Sequence, residues 1–186
     1  MFGFFKKAKQ KENFEKFTFP HLDGLYASAM NLTKNPALAE DLVQETYLKA
    51  FSAFSKLEDT THIKAWLFRI MVNTYYNIQR KRKREILTAD EDFKLIPDDH
   101  SHSIQDFQKV FTHSQSHLNS VFSDEVIHAL NELPEEYRLV LILADLQDFN
   151  YQEIADILEI KIGTVMSRLF RARAAMKKHL YEFAVR

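Results

Sequence analysis

Asn150 to Lys178 reads NYQEIADILEIKIGTVMSRLFRARAAMKK, and how that stretch divides decides the fold. Ile154, Ile157 and Leu158 recur at the spacing of one helical face, and Val165 and Leu169 do so after a short interruption. Asn150 offers an N-cap oxygen, with Glu153 placed to close a capping box. The second helix is crowded with Arg. Two helices joined by a tight turn, the second carrying donors for phosphates and base edges, form a helix-turn-helix. The stretch therefore points to contact with DNA.

Net charge, −1, does not suggest a nucleic-acid partner, but its distribution does. Arg80 to Arg84 is an unbroken run of cations, RKRKR. From Lys161 to Arg186 there are seven Lys or Arg and one acid, Glu182. Between these blocks, Glu85 to Asp124 holds eight acids against Lys94 and Lys109. Two basic stretches separated by an acidic one suggest two nucleic-acid contact sites and a connector that avoids DNA. A lone basic run is equally what a solvated helix end looks like; the pairing makes the argument.

Upstream, the chain repeats the helical pattern. Leu22, Leu25, Tyr26, Ala29 and Leu32 form one stripe, ended by Asn35-Pro36, where Asn caps the next helix and Pro occupies its first turn. Leu42, Val43, Thr46, Tyr47, Ala50, Phe51 and Phe54 form the second. After a polar break at Lys56 to Thr61 comes a third: Trp66, Leu67, Ile70, Met71, Thr74 and Ile78. One-sided stripes must pack on one another, so 14–84 reads as a compact helical bundle. Residues 85–123 lose the period and read as an acidic, mostly flexible linker, with a short helix conceivable at Ile104 to Phe111. The second unit, 124–182, begins with Ile127, Leu130 and Leu133. Pro134 then opens a helix with Glu135 and Glu136 at its positive end and Leu139, Val140, Leu143 and Leu146 on its apolar face. The expected fold class is all-α, two small helical domains joined by a linker. Three Gly and four Pro in 186 residues agree with long helices.

Several function classes fall away. No apolar run approaches the roughly 18 residues of a membrane span, and MFGFFKKAKQKENF has the wrong order for a secretory signal. Without Cys there is no thiol chemistry, and cytoplasmic residence is the expectation. His100, His102, His113 and His117 match no closed zinc site, so no metal and no cofactor are expected. HExxH, a Gly-rich phosphate loop and GxSxG are all missing, so neither an enzyme nor a small-molecule substrate is expected.

Four segments in order, NPALAEDLVQETYLKAF, KAWLFRIMVNTYYN, LPEEYRLVLILADLQDFNYQEIADIL and GTVMSRLFRARAAM, resemble a group IV (extracytoplasmic function) sigma factor of bacterial RNA polymerase. The resemblance spans about Phe14 to Leu180 and leaves the linker unmatched. It implies a region 2 bundle and a region 4 helix-turn-helix domain, with core RNA polymerase and promoter DNA as partners. Asp41, Gln44, Glu45 and Lys49, on the outer face of the second helix, would dock on the polymerase clamp. By periodicity alone the same face is what any solvated helix shows.

Asn73 and Asn77, four apart and so on one face beside Lys64 and Arg69, lead into the basic run. By the resemblance this helix and the loop Ser55 to His62 capture a base flipped from the minus-10 element, with Arg80, Lys81 and Arg82 on the DNA. An Asn amide both donates and accepts toward a base edge. Trp66 belongs to the apolar stripe, and core is its expected place. In the last helix Met166, Ser167, Phe170 and Arg171 fall at the positions that read minus-35 bases in the family, and Lys161 and Thr164 are expected among the DNA contacts. Arg168, Arg173 and Lys177 suit phosphates.

Two departures from the family pattern stand out. Glu159 occupies the turn where Gly is usual, followed by Lys161 where Pro is common, so Glu159 must adopt or avoid a left-handed conformation. Met166 stands where a polar reader is frequent, which leaves base preference there open. The opening of the chain resembles the subgroup paired with small zinc-containing anti-sigma proteins, which would place an anti-sigma factor among the partners. The competing reading is a stand-alone helix-turn-helix regulator with an N-terminal sensor or dimerisation bundle.

Overall fold

The computed structural model describes residues 2–88 and 124–184, and among them there is helix and no strand. Residues 85–88, expected to open the linker, instead continue the last helix of the first unit, while the rest of the linker, its conceivable helix at Ile104 to Phe111, and the four His residues from His100 to His117 lie outside the described residues. Helix α1 (Phe2–Thr18) passes through a 3-10 turn (Phe19–His21) into α2 (Leu22–Thr33), followed by α3 (Pro36–Phe54) and α4 (Ile63–Thr88). The C-terminal half holds α5 (Asp124–Glu132), α6 (Glu135–Leu141) with a π-helical turn (Ile142–Leu146), α7 (Tyr151–Leu158) and α8 (Ile162–Ala184).

Local chemistry sets the boundaries. The Asn35 side chain accepts the Leu38 N–H at 3.1 Å, and Pro36 supplies a first-turn residue whose missing N–H is no loss. At α7 the capping box is complete: the Asn150 side chain accepts the Glu153 N–H at 3.0 Å, and the Glu153 carboxylate accepts the Asn150 N–H at 2.9 Å. Lys34 and Glu159 end α2 and α7 in the left-handed region, both at φ 55°. Helix α4 runs to Thr88, past the point where the apolar period stops, because a helix of exposed cations needs no buried face to continue its backbone ladder.

The stripes pack as their spacing requires. Leu22, Leu25, Tyr26, Ala29 and Leu32 meet Leu42, Val43, Tyr47 and Ala50, and Leu67 and Met71 of α4 close the bundle. The buried Tyr47 hydroxyl donates to the Thr18 carbonyl at 2.9 Å, tying α3 to the end of α1. Phe51 differs from expectation. It is 39% exposed, at the rim of the bundle, with its ring edge-on to Phe14 at 5.2 Å. The expected two units also share one continuous core. Phe68, Val72 and Tyr75 form a second buried face on α4, and Phe68 meets Phe149 edge-to-face at 5.0 Å.

Polar contacts complete that junction. Gln147 Nε2 donates to the Gly24 carbonyl at 3.2 Å, Lys34 Nζ to the Asn131 carbonyl at 2.7 Å, and the Tyr75 hydroxyl to Glu135 at 2.8 Å. Removing the α7 cap should cost about 1 kcal/mol. Asn150→Ala should therefore lower the urea midpoint without changing the slope, and an unchanged midpoint would mean that α7 is held by packing alone.

Candidate nucleic-acid interface

The exposed arc of α4 begins at Arg69 and continues through Asn73 and Asn77 to Arg80, Lys81 and Arg82. Its inward arcs are consumed by the two cores, so packing rotates the amides and cations outward. Trp66, expected in the core, is half-buried and packs against its edge. In the loop before α4, the Asp59 carboxylate accepts the Thr61 N–H at 2.8 Å and the Thr61 hydroxyl at 2.6 Å. Those two bonds hold its carboxyl below the ordinary range and fix the loop's turn.

Near the start of the arc stands Glu159. Arg69 Nη2 donates to its carboxylate at 2.8 Å, and this bond, with the charge behind it, holds the Glu159 carboxyl below its ordinary range. Lys64 Nζ reaches the Gln147 carbonyl and lies 4.8 Å from the centre of the Phe149 ring. Glu135, read at the positive end of its helix, also accepts from the Tyr75 hydroxyl at 2.8 Å. Burial first, then Glu135, pushes the Tyr75 phenol up to about 12, so it stays a donor at neutral pH.

Helix α8 presents the second basic surface. Val165, Leu169 and Ala172 are buried, which leaves Met166, Ser167, Phe170, Arg171 and Arg173 on the open side. Lys161 and Lys177 are exposed at either end of that side, and Thr164 is half-buried. Phe170 is 77% exposed and Met166 53%, beside a groove of about 500 Å³ shared with Tyr151, Leu169 and Lys177. Large apolar side chains are seldom so open without a partner surface. The Ser167 hydroxyl donates to the Thr164 carbonyl at 3.1 Å.

Three arginines are oriented from behind. Arg173 grips Asp145 with two bonds, 3.2 and 2.5 Å, which holds its guanidinium above the usual range. Arg171 reaches the Tyr137 hydroxyl at 3.4 Å. Arg168 donates to Glu136 at 2.6 Å with only 27% of its side chain exposed, so it is the least available of the expected phosphate contacts.

On α3, Asp41 and Lys49 are exposed while Gln44 and Glu45 are half-buried. Lys49 pairs with Glu45 at 3.1 Å and donates to the Thr74 hydroxyl at 3.3 Å, which ties this face back to α4. Leu48, 38% exposed, and Phe51 add an apolar margin that periodicity did not single out. The junction residues Gln147, Phe149 and Gly24 were likewise not foreseen. Gly24, inside a helix, was the one available signal, since such a Gly often marks a close approach.

Among the described residues no group of His, Asp or Glu could hold a metal, and no helix is long and apolar enough to cross a membrane. Comparison with known proteins then defines the class. The model for sigma-70 region 2 matches residues 20–85, and that for sigma-70, region 4 matches 123–176. The chain is 32% identical to the ECF RNA polymerase sigma factor SigM of Bacillus subtilis, over 84% of this chain and 88% of SigM. It is also 32% identical to EcfG of Rhodopseudomonas palustris, over 84% and 79% of the two chains. The chain belongs to the ECF family of RNA polymerase sigma factors.

Against SigE of Mycolicibacterium smegmatis it is 31% identical, over 86% of this chain and 58% of SigE. Among solved structures it resembles the sigma factor RpoE of Bartonella quintana, in complex with the anti-sigma factor NepR. That pair gives a TM-score of 0.69 and 30% identity, over 91% of this chain and 98% of RpoE. The fold is also that of CnrH, with a TM-score of 0.58 at 20% identity over 92% and 90% of the chains.

Arg69 should hold the Glu159 carboxyl below the ordinary glutamate value of 4.5, first through its hydrogen bond and then through its charge. A depressed folded value means the contribution is full above the unfolded pKa and is lost as pH falls through the folded one. Carboxyl NMR titration should place Glu159 below 4.5 in the native chain and back near it in Arg69→Ala. A titration indifferent to Arg69 would contradict the pairing.

Proposed function

We propose that the chain binds core RNA polymerase, recognises minus-10 and minus-35 promoter elements and promotes transcription initiation. The observation that carries this is the pairing of two outward basic surfaces, α4 and α8, each backed by packed core. Residues 14–84 form the region 2 unit, 85–123 the acidic linker and 124–182 the region 4 unit. Asp41, Gln44, Glu45 and Lys49 are the polymerase contacts. Asn73 and Asn77 take base edges at minus-10, with Arg80, Lys81 and Arg82 on the backbone.

At minus-35, Met166, Ser167, Phe170 and Arg171 face bases, Arg168, Arg173 and Lys177 neutralise phosphates, and Lys161 and Thr164 are further DNA contacts. The exposed apolar pair Met166 and Phe170 suits thymine methyl groups. The chain contributes no catalysis of its own and works in the cytoplasm, where its polymerase is. An anti-sigma factor is a further partner, by analogy with the RpoE complex. If that partner carries zinc or switching thiols, they are its own, since this chain has no Cys.

Purified chain with core polymerase should give promoter-specific transcripts from a two-element promoter. Tight duplex binding alone, with no core association, would favour the stand-alone regulator instead. Asn73→Ala should slow promoter opening by on the order of tenfold, the loss of one good base contact, with core binding intact. Normal opening would remove Asn73 from the site. Arg171→Ala should relax preference at one minus-35 base by ~1–3 kcal/mol. A uniform loss across sequences would make Arg171 a phosphate contact.

A further inference from the structure

Glu159 ends α7 at φ 55° and ψ 42°, a backbone region that Gly enters freely and a glutamate enters at a cost. The helix end itself does not ask for a carboxylate. The Glu159 N–H returns to the Ala155 carbonyl and the Ile160 N–H joins it at 3.0 Å, bonds a glycine would make equally well. What the side chain adds lies outside its own unit: the 2.8 Å bond from Arg69. Both partners stay about half-exposed, Arg69 at 52% and Glu159 at 57% of their side-chain surface. Such a pair adds little stability and is easily displaced. A strained residue making a weak, reversible contact suits competition better than architecture.

We propose that Glu159 is an intramolecular latch, its carboxylate standing in for DNA against Arg69, so that the free chain holds the start of its minus-10 face against its own helix-turn-helix. This rests on the assignment of α4 to the minus-10 element. Lys64, at the start of α4, is engaged across the same junction by the Gln147 carbonyl and the face of the Phe149 ring. The surface under the latch is fitted at Gly24. A Cβ there would stand 2.6 Å from Gln147 Oε1, so any larger side chain pushes Gln147 away. Opening exchanges carboxylate for nucleic acid on the same guanidinium. Latch and promoter strand are therefore mutually exclusive at Arg69.

The test compares the full-length native chain with Glu159→Gly and Gly24→Leu, neither of which alters an assigned DNA or polymerase contact. Fluorescence anisotropy measures binding to the single-stranded minus-10 segment of a promoter mapped from RNA 5′ ends. Small-angle scattering measures dimensions. Glu159→Gly should bind about fivefold tighter, the scale of releasing one half-exposed ion pair. Gly24→Leu should bind tighter and also be expanded, and both should support core-dependent transcription.

Equal affinity in all three chains would overturn the latch while leaving the minus-10 assignment standing. Tighter binding by Gly24→Leu alone would overturn the role of Glu159. If no version binds the strand and none opens a promoter with core polymerase, the assignment of α4 fails and the latch with it.

Discussion

Helix α4 is apolar on two adjacent faces, and almost everything else in the molecule answers that constraint. Leu67, Met71 and Thr74 face the bundle of α1 to α3, while Phe68 and Tyr75 turn toward α6 and the segment before α7. Buried apolar area stabilises at about 25 cal/mol per Å², so leaving the second face in water would forfeit several large side chains at once. Covering it brings the C-terminal unit onto the N-terminal one. Only the remaining arc of α4 is left to meet solvent, and that arc carries Arg69, Asn73, Asn77 and Arg80.

The polar chemistry is weaker and works by position. Half-exposed ion pairs such as Arg173–Asp145 and Arg69–Glu159 contribute about 0–1 kcal/mol each, far less than a buried aromatic ring. Their effect is to decide which way a guanidinium points before any partner arrives. On α8 the acids sit behind the arginines and leave the open side to Met166 and Phe170. On α4 an acid sits in front. The same interaction thus orients one basic surface for use and covers part of the other.

Much of the fold was legible because the helices are regular and strongly marked. The stripes beginning at Leu22 and Leu42, the Asn35-Pro36 start and the Asn150 capping box are local signals, and each appears where it was read. Phe51 was placed in the core because periodicity assigns a direction and does not say where a bundle ends. The π-helical turn at Ile142–Leu146 left no sequence trace, since one extra residue in a turn does not alter the apolar pattern enough to see. The site residues were named by chemistry and resemblance. That Glu159, Glu136 and Asp145 would engage their arginines could not be read from positions so far apart in the chain.

The sequence by itself determined the helices, their caps, the all-α class and the two separated basic runs, because propensity, capping and charge act over a few residues. It also left Glu159 as an unexplained departure in a turn that favours Gly. Tertiary structure alone decided that the two units share a core through Phe68 and Phe149, and that Gly24 admits Gln147. It also decided that Glu159 faces Arg69. Those contacts join residues tens of positions apart, where the deciding quantities are distance and shape, and these exist only once the chain has packed.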